Sequence, residues 1–510
     1  MAAVAVLMAH IAHEQKAPQV KTFAMATGYF LAQTVFQLVF SHVSHALGRK
    51  FMYMTGLVLY LAGASTVAAG PPMDALVGAR VVQGIGAAGM FTMSAIVIVE
   101  LTQPRQRAGW TSITSAFGAL GNICGPLVAG LLCKHYRLSW RSVFIVEIII
   151  SGLLLVALAI LLPNDSRAPK DRLRELRSCD WIGMIFFFAC STGILVPINI
   201  GGTTDSLRWG SRAIVICFVA GLFSLVFLIC HQRRLAKRPA FPREVFARKT
   251  TNVAFLGNLV CGVLLSMVFY SLVLFWEGVR GKSTVEVGKM LLSVTLTYPA
   301  AFALTGIAIR RWGRISWATA AGGLVATLGL GLMQLMTETA PEAALVIICL
   351  CAGAGCGIFA PAMVNSIIAT TDSRWHAHAI ATRTLLYTAG QCIGASFGLA
   401  IFTNAFTRRY DALKGDDARL AEAARQVLGN PQELIGKIRE LQQLSPNGEL
   451  IHLVDGALRS VWATACCIAG VTGALAIWYR CPGLAEDSRT GRAVPDEERQ
   501  ENSTEMTQRS

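Results

Sequence analysis

Arg80-Val-Val-Gln-Gly-Ile-Gly-Ala-Ala-Gly89 lies inside an apolar run that begins near Ala75 and ends at Glu100. A run of about 20 apolar residues is the length a helix needs to cross a hydrocarbon core. An arginine one turn from a file of glycines is costly there unless it faces a partner, water or the headgroup region. The glycines formally match the dinucleotide fingerprint G-x-G-x-x-G, but that motif needs a preceding strand and a helix start. Here it falls mid-run, where small residues let helices approach closely in lipid. Gly353-Ala-Gly355-Cys-Gly357 reads the same way.

The same kind of run recurs along the chain, near 22–41, 51–70, 75–100, 109–133, 141–162, 181–201, 211–231, 252–276, 288–309, 315–336, 343–369, 378–404 and 460–479. Of the 510 residues, 54% are hydrophobic and 15% charged, and mean hydropathy is +0.52. Soluble domains carry about 25% charged residues. The expectation is an all-α polytopic membrane protein. Met1 to Ala12 reads as the end of one more span, since a dozen helical residues rise only about 18 Å. It lacks the basic start and cleavage site of a signal peptide, so the first helix reads as truncated.

The net charge of +15 sits in loops rather than on one face, which argues against nucleic acid as a partner. Counting the partial helix as the first span, loops after even-numbered spans are the richer in lysine and arginine. Examples are Arg49 and Lys50, the segment Arg167 to Arg177, and the segment Arg233 to Lys249. The positive-inside rule places that side in the cytosol. Both glycosylation sequons, at Asn164 and Asn502, fall on it. The 14 cysteines are scattered through apolar runs and read as small packing residues. His42/His45 and His10/His13 have helical spacing but no third ligand, so no metal site is expected.

Four regions follow from composition: a helical bundle over 1–162 with its first helix partial, two extra helices and charged loops over 163–251, a second bundle over 252–480, and a charged tail over 481–510 that reads as disordered. The polar stretch 407–459 reads as an extracellular loop. Within it Leu434, Ile435, Ile438, Leu441 and Leu444 recur at the spacing of an amphipathic helix. An internal repeat links the two bundles. Ser41 to Arg49 and Gly306 to Arg314 share a spacing ending in Gly-Arg. At nearly the same offset, Gly84 and Gly86 answer to Gly353 and Gly355, and Gly121 and Gly125 to Gly390 and Gly394. Repeated halves in a polytopic helical protein are a transporter signature.

Arg80 has two readings. It is an interfacial arginine satisfied by headgroups or helix-end carbonyls, or a fixed positive charge that binds an anion or tunes a nearby acid. Glu147 interrupts a strongly apolar helix. It is either a proton-exchanging carboxyl or an acid snorkelling to the outer interface, two turns away. The segment Gly118 to Gly130 sets glycines four or five apart around Pro126, which frees a carbonyl and kinks a spanning helix. No catalytic constellation and no Walker loop are present, so neither an enzyme nor an ATP-driven pump is expected.

These residues resemble the major facilitator superfamily over almost the whole chain, and its fourteen-helix drug:proton antiporter branch most of all. Gly48-Arg49-Lys50 resembles the cytosolic gating motif, with His45 standing where that motif holds an aspartate and Ser41 where it holds a glycine. Arg310, Gly313 and Arg314 form its counterpart in the second half. Arg80-Val-Val-Gln83-Gly84-Ile-Gly86 is similar to the fourth-helix motif, and Gly121-x-x-x-Gly125-Pro126-x-x-Ala-Gly130 to the antiporter motif of the fifth helix. Ser139-Trp140-Arg141, Asp180-Trp-Ile-Gly183 and Phe275-Trp-Glu-Gly-Val-Arg280-Gly281 resemble further marks of the branch.

The resemblance implies two six-helix bundles with two central extra helices, rocking around a central cavity. It implies proton-driven efflux of small lipophilic or amphipathic compounds such as drugs, toxins or secondary metabolites. Arg80 and Glu147 would couple protons, and Gln83, Gly84 and Gly86 would line the cavity. A histidine at position 45 would make the cytosolic lock weak or pH-dependent. The partners are a small-molecule substrate and the lipid bilayer, the working unit is a monomer, and no cofactor is needed beyond the proton gradient. The expected location is the plasma membrane, with the vacuolar membrane as the alternative. The alternative functions are uptake or vacuolar transport of a siderophore or basic amino acid, or a truncated, transport-defective membrane protein.

Overall fold

The computed structural model describes residues 19–102, 140–163, 179–200, 210–236, 241–372, 375–412 and 449–479, residue 239, and isolated residues within 1–18, 103–139 and 164–178. The described chain is helical. Its α-helices are α1 (Gln19–Leu47), α2 (Arg49–Ala68), α3 (Met73–Leu101), α4 (Arg141–Leu161), α5 (Trp181–Ile200), α6 (Arg212–Arg234), α7 (Lys249–Leu274), α8 (Thr284–Trp312), α9 (Ser316–Leu332), α10 (Glu342–Thr370), α11 (His376–Ala412) and α12 (Glu449–Trp478). Eleven segments among them are long and apolar enough to cross a bilayer. α1 is not one of these. Gln33, Thr34, Gln37, Ser41 and Ser44 form a buried stripe down one side of it, which lowers its hydropathy while facing protein rather than lipid.

Helices α1 to α4 pack on one another, and α7 to α12 do so separately. The two sets meet where α11 lies against α1 and α3. Large apolar side chains point outward, among them Ile149, Ile150 and Leu153 of α4 and Ile216, Val219 and Phe223 of α6. Lipid tails are as apolar as these residues, so helix association rests on close packing instead. The glycine files supply that packing. An ideal Cβ built on Gly84 would lie 2.4 Å from the Tyr29 carbonyl of α1, and one on Gly86 would lie 2.3 Å from the Tyr60 nitrogen of α2. Gly84 and Gly86 are therefore contact points between helices and do not line a cavity here, contrary to the sequence-based expectation.

Two boundaries differ from hydropathy. α11 runs on to Ala412 and α12 starts at Glu449, well beyond the apolar runs 378–404 and 460–479. Hydropathy marks the part of a helix that lipid must cover; beyond it Arg408 and Arg409 are exposed and Arg459 pairs with Asp455 at 2.9 Å, without ending the helix. The proposed amphipathic helix around Leu434 to Leu444 and the tail 481–510 lie outside the described residues.

The extra helices α5 and α6 form a hairpin that leans on α1 and α11. Asp180 ties it at its base. Its carboxylate accepts from the Gly183 amide at 2.9 Å and from the Gln232 amide at 2.7 Å, and pairs with His231 at 2.7 Å. Both side chains of the Asp180–His231 pair are nearly sealed from solvent. Breaking a buried pair from one side costs about 3–5 kcal/mol. Asp180→Ala is therefore expected to lower the melting temperature of the purified protein by several degrees. A melting curve matching the unmodified chain would show that the hairpin is held by its apolar contacts alone.

Candidate functional site

The spacing of Arg80 and Gln83 places both on one face of α3. The Arg80 Nη1 donates to the Gln83 Oε1 at 2.5 Å, and the Gln83 Nε2 donates to the Glu147 Oε2 on α4 at 2.8 Å. Tyr60 lies close to the same carboxyl. The Arg80 guanidinium sits over the Tyr29 ring, 4.5 Å from its centroid, with the Phe144 ring 6.0 Å away. Such stacking stabilises a desolvated cation. Arg80 is 1% and Gln83 0% exposed, whereas Glu147 keeps partial exposure.

Arg80 is enclosed by protein, not by headgroups, and Glu147 is turned inward by Gln83 rather than outward to the interface. An amide joins the cation to the acid, so a change of charge at Glu147 is felt along a three-residue chain of hydrogen bonds. Gln83 is a bridge in this conformation, not an open cavity wall. Sequence reasoning missed Tyr29 and Tyr60. Their signal lay in the glycines, since Gly84 and Gly86 draw those two backbones against α3.

The antiporter-motif residues are only partly described. Gly121 and Gly125 are helical, and Gly121 has no described atom within 4 Å of an added Cβ. Pro126 and Gly130 lie outside the described residues.

At the arginine-rich end, Gly48 takes a φ of 97° and lets the chain turn from α1 into α2. Gly313 closes α8 with a φ of 67°, so the two halves of the repeat share a left-handed glycine at the turn. Arg310 and Arg314 flank it and are exposed. Arg49 pairs with Glu100 at the end of α3, Nη2 to Oε1 at 2.7 Å, with Nε within 3.2 Å of both carboxylate oxygens. It also reaches the Ser44 hydroxyl and the His45 Nδ1. Lys50 donates to the Ala159 carbonyl at 2.7 Å. The His45 ring stacks on His378 of α11, 6.2 Å between centroids. The acid absent at position 45 is thus supplied from Glu100, the residue that ends the apolar run of α3. Arg49 has a carboxylate partner despite the histidine.

Glu100 is 42% exposed on its side chain, so solvent screening holds this pair to about 1 kcal/mol or less. Glu100→Gln is expected to open this end slightly. A thiol reagent should react up to roughly fivefold faster with a cysteine placed at the buried Gln37, in a background whose exposed Cys230 and Cys467 are serine. An unchanged rate would show that the Arg49–Glu100 pair does not limit access to Gln37.

Comparison with known proteins agrees with this architecture. The "MFS transporter L2" of a Phoma species is 29% identical over 453 residues, which is 89% of this chain and 74% of that protein. The "MFS efflux transporter aclA" of Aspergillus oryzae is 26% identical over 456 residues, 89% of this chain and 81% of that protein. The "Efflux pump FUS6" of Gibberella moniliformis is 25% identical over 477 residues, 92% of this chain and 83% of that protein. Among solved structures, a bacterial homologue of the human lysosomal transporter Spinster superposes with a TM-score of 0.58 at 15% identity, covering 94% of this chain and 92% of that one. The proton:xylose symporter XylE does so with a TM-score of 0.53 at 16% identity and the same coverage. The Major Facilitator Superfamily model matches residues 1–399. With its apolar helices, paired packing sets and this match, the chain belongs to the Major Facilitator Superfamily and is a multi-pass membrane transporter, not an enzyme.

Proposed function

We propose that this chain exports small lipophilic or amphipathic organic compounds in exchange for protons. The observation that carries the reading is the chain Arg80–Gln83–Glu147, with Tyr60 at its end. Protonating Glu147 removes the charge that offsets Arg80, and the bridging amide passes that change to α3. A carboxyl that takes up and gives back a proton at such a place links helix arrangement to the proton gradient. The names of the efflux relatives support the direction of transport.

In this reading the bundle over 1–162 carries proton coupling and the bundle over 252–480 moves against it, with 163–251 as accessory helices. Gly125 and Pro126 shape the outward path, and the loops at Arg49 and Arg310 gate the cytosolic side. The working unit is a monomer in the plasma membrane, driven by the proton gradient with no further cofactor. The test is efflux of a panel of lipophilic dyes from pump-deficient yeast, with and without a protonophore. Protonophore-sensitive efflux is expected. Efflux indifferent to the protonophore would overturn proton coupling, and no efflux from surface-resident protein would overturn export.

A further inference from the structure

Among the described residues, the second helix set holds a charge with no counter-charge. Arg383 of α11 lies among α7, α8 and α10, with Asn258, Cys261, Tyr298, Cys356 and Tyr387 around it. Tyr298 and Cys356 stand at the middle of α8 and α10, so the guanidinium lies deep in the membrane-spanning layer. Its Nε donates to the Asn258 Oδ1 at 3.1 Å. Asn258 is held in that orientation, because its own amide NH2 donates to the Ala254 carbonyl at 2.8 Å. Tyr298 and Tyr387 stand beside it. Among the described residues no carboxylate pairs with Arg383, and its two terminal nitrogens have no hydrogen-bond partner. Arg383, Tyr298 and Tyr387 all keep partial accessibility.

The contrast with Arg80 is physical. Arg80 has an acid at the end of its hydrogen-bond chain and is closed to solvent; Arg383 has neither. An uncompensated cation within a spanning helix is expensive and marks a pathway or a ligand site. A guanidinium held at one nitrogen by Asn258 presents its other two as a fork, the geometry that matches a carboxylate. Two tyrosine hydroxyls at its side offer further donors to the same anion. The geometry points to an organic-anion site: Arg383 binds the carboxylate of a small amphipathic molecule, with Tyr298 and Tyr387 completing the cradle. That this anion is cargo rests on the export reading above; that the site binds carboxylates does not.

The test measures binding to the purified full chain in nanodiscs by tryptophan fluorescence, using 2-naphthoate against its uncharged twin 2-naphthamide. The unmodified protein should prefer the carboxylate by about tenfold or more. Arg383→Gln should lose that preference and Arg383→Lys should keep much of it. Tyr298→Phe, which leaves the cation in place, should weaken naphthoate alone by several-fold. Equal binding of the two probes by the unmodified chain would overturn the inference, as would a preference that survives Arg383→Gln. Displacement of naphthoate by chloride or phosphate at similar concentration would overturn its assignment to an organic carboxylate. Failure of the export reading would show separately, as absent dye efflux alongside an intact carboxylate preference.

Discussion

Arg80→Ala and Glu147→Gln are both expected to reduce dye efflux to the protonophore-insensitive background, and to differ sharply in stability. Arg80 is among the largest fully buried side chains, stacked on Tyr29 and bonded to Gln83. Its loss leaves a cavity, an amide oxygen without its donor, and an acid without its offsetting charge. Removing one member of a buried ionic arrangement costs about 3–5 kcal/mol, so the alanine variant should melt well below the parent. Glu147→Gln has nearly the same shape, and its side-chain oxygen still accepts from the Gln83 Nε2. It should fold and insert normally, with a stability change of less than about 1 kcal/mol, yet it cannot exchange a proton. Efflux by Glu147→Gln that still collapses on adding a protonophore would place coupling elsewhere. Normal efflux by Arg80→Ala would reduce Arg80 to a packing residue.

The second large effect concerns the seam between α7 and α11. An added Cβ on Gly390 would lie 2.1 Å from the Leu259 carbonyl oxygen, one on Gly262 2.1 Å from that of Tyr387, and one on Gly394 2.2 Å from that of Val263. Each obstacle is backbone, which cannot rotate away. Helices in lipid gain little from hydrophobic association, so close approach of this kind is most of what joins them. Gly390→Val should force the two helices apart, pull Arg383 away from Asn258, and cost about 3 kcal/mol or more. The expected readout is a large loss of monodisperse protein and a melting temperature lower by many degrees, with Gly390→Ala intermediate. Gly121→Ala is the contrast. No described atom stands within 4 Å of its added Cβ, so stability should hold. Lost efflux in that variant without lost stability would mark the fifth-helix motif as part of the transport path. A Gly390→Val protein as stable as the parent would show that the seam yields more readily than its geometry implies.

Much of the Arg80–Gln83–Glu147 site was legible in the sequence. Arg80 and Gln83 stand three residues apart in an apolar run, and Glu147 interrupts another; each is expensive in lipid and so conspicuous. Their partnership was not legible, because Gln83 and Glu147 stand on different helices, 64 residues apart. Glu100 was read as the end of a hydrophobic run and not as the partner of Arg49, although both lie at the arginine-rich end. Gly84 and Gly86 were expected on a cavity wall; the backbones of Tyr29 and Tyr60 leave no room for one. Arg383 drew no notice, since its run begins only a few residues earlier and a helix-end arginine usually reaches water.

The sequence alone determined that the chain is helical and that it crosses a membrane many times. These are local properties, because the bilayer tests each segment of about 20 residues separately for apolar length. Only the tertiary structure decided which acid answers which arginine, which glycines are contacts, and that Arg383 has no carboxylate partner among the described residues. In lipid those pairings come from shape fit between helices far apart in the chain, and no window along a single helix contains that information.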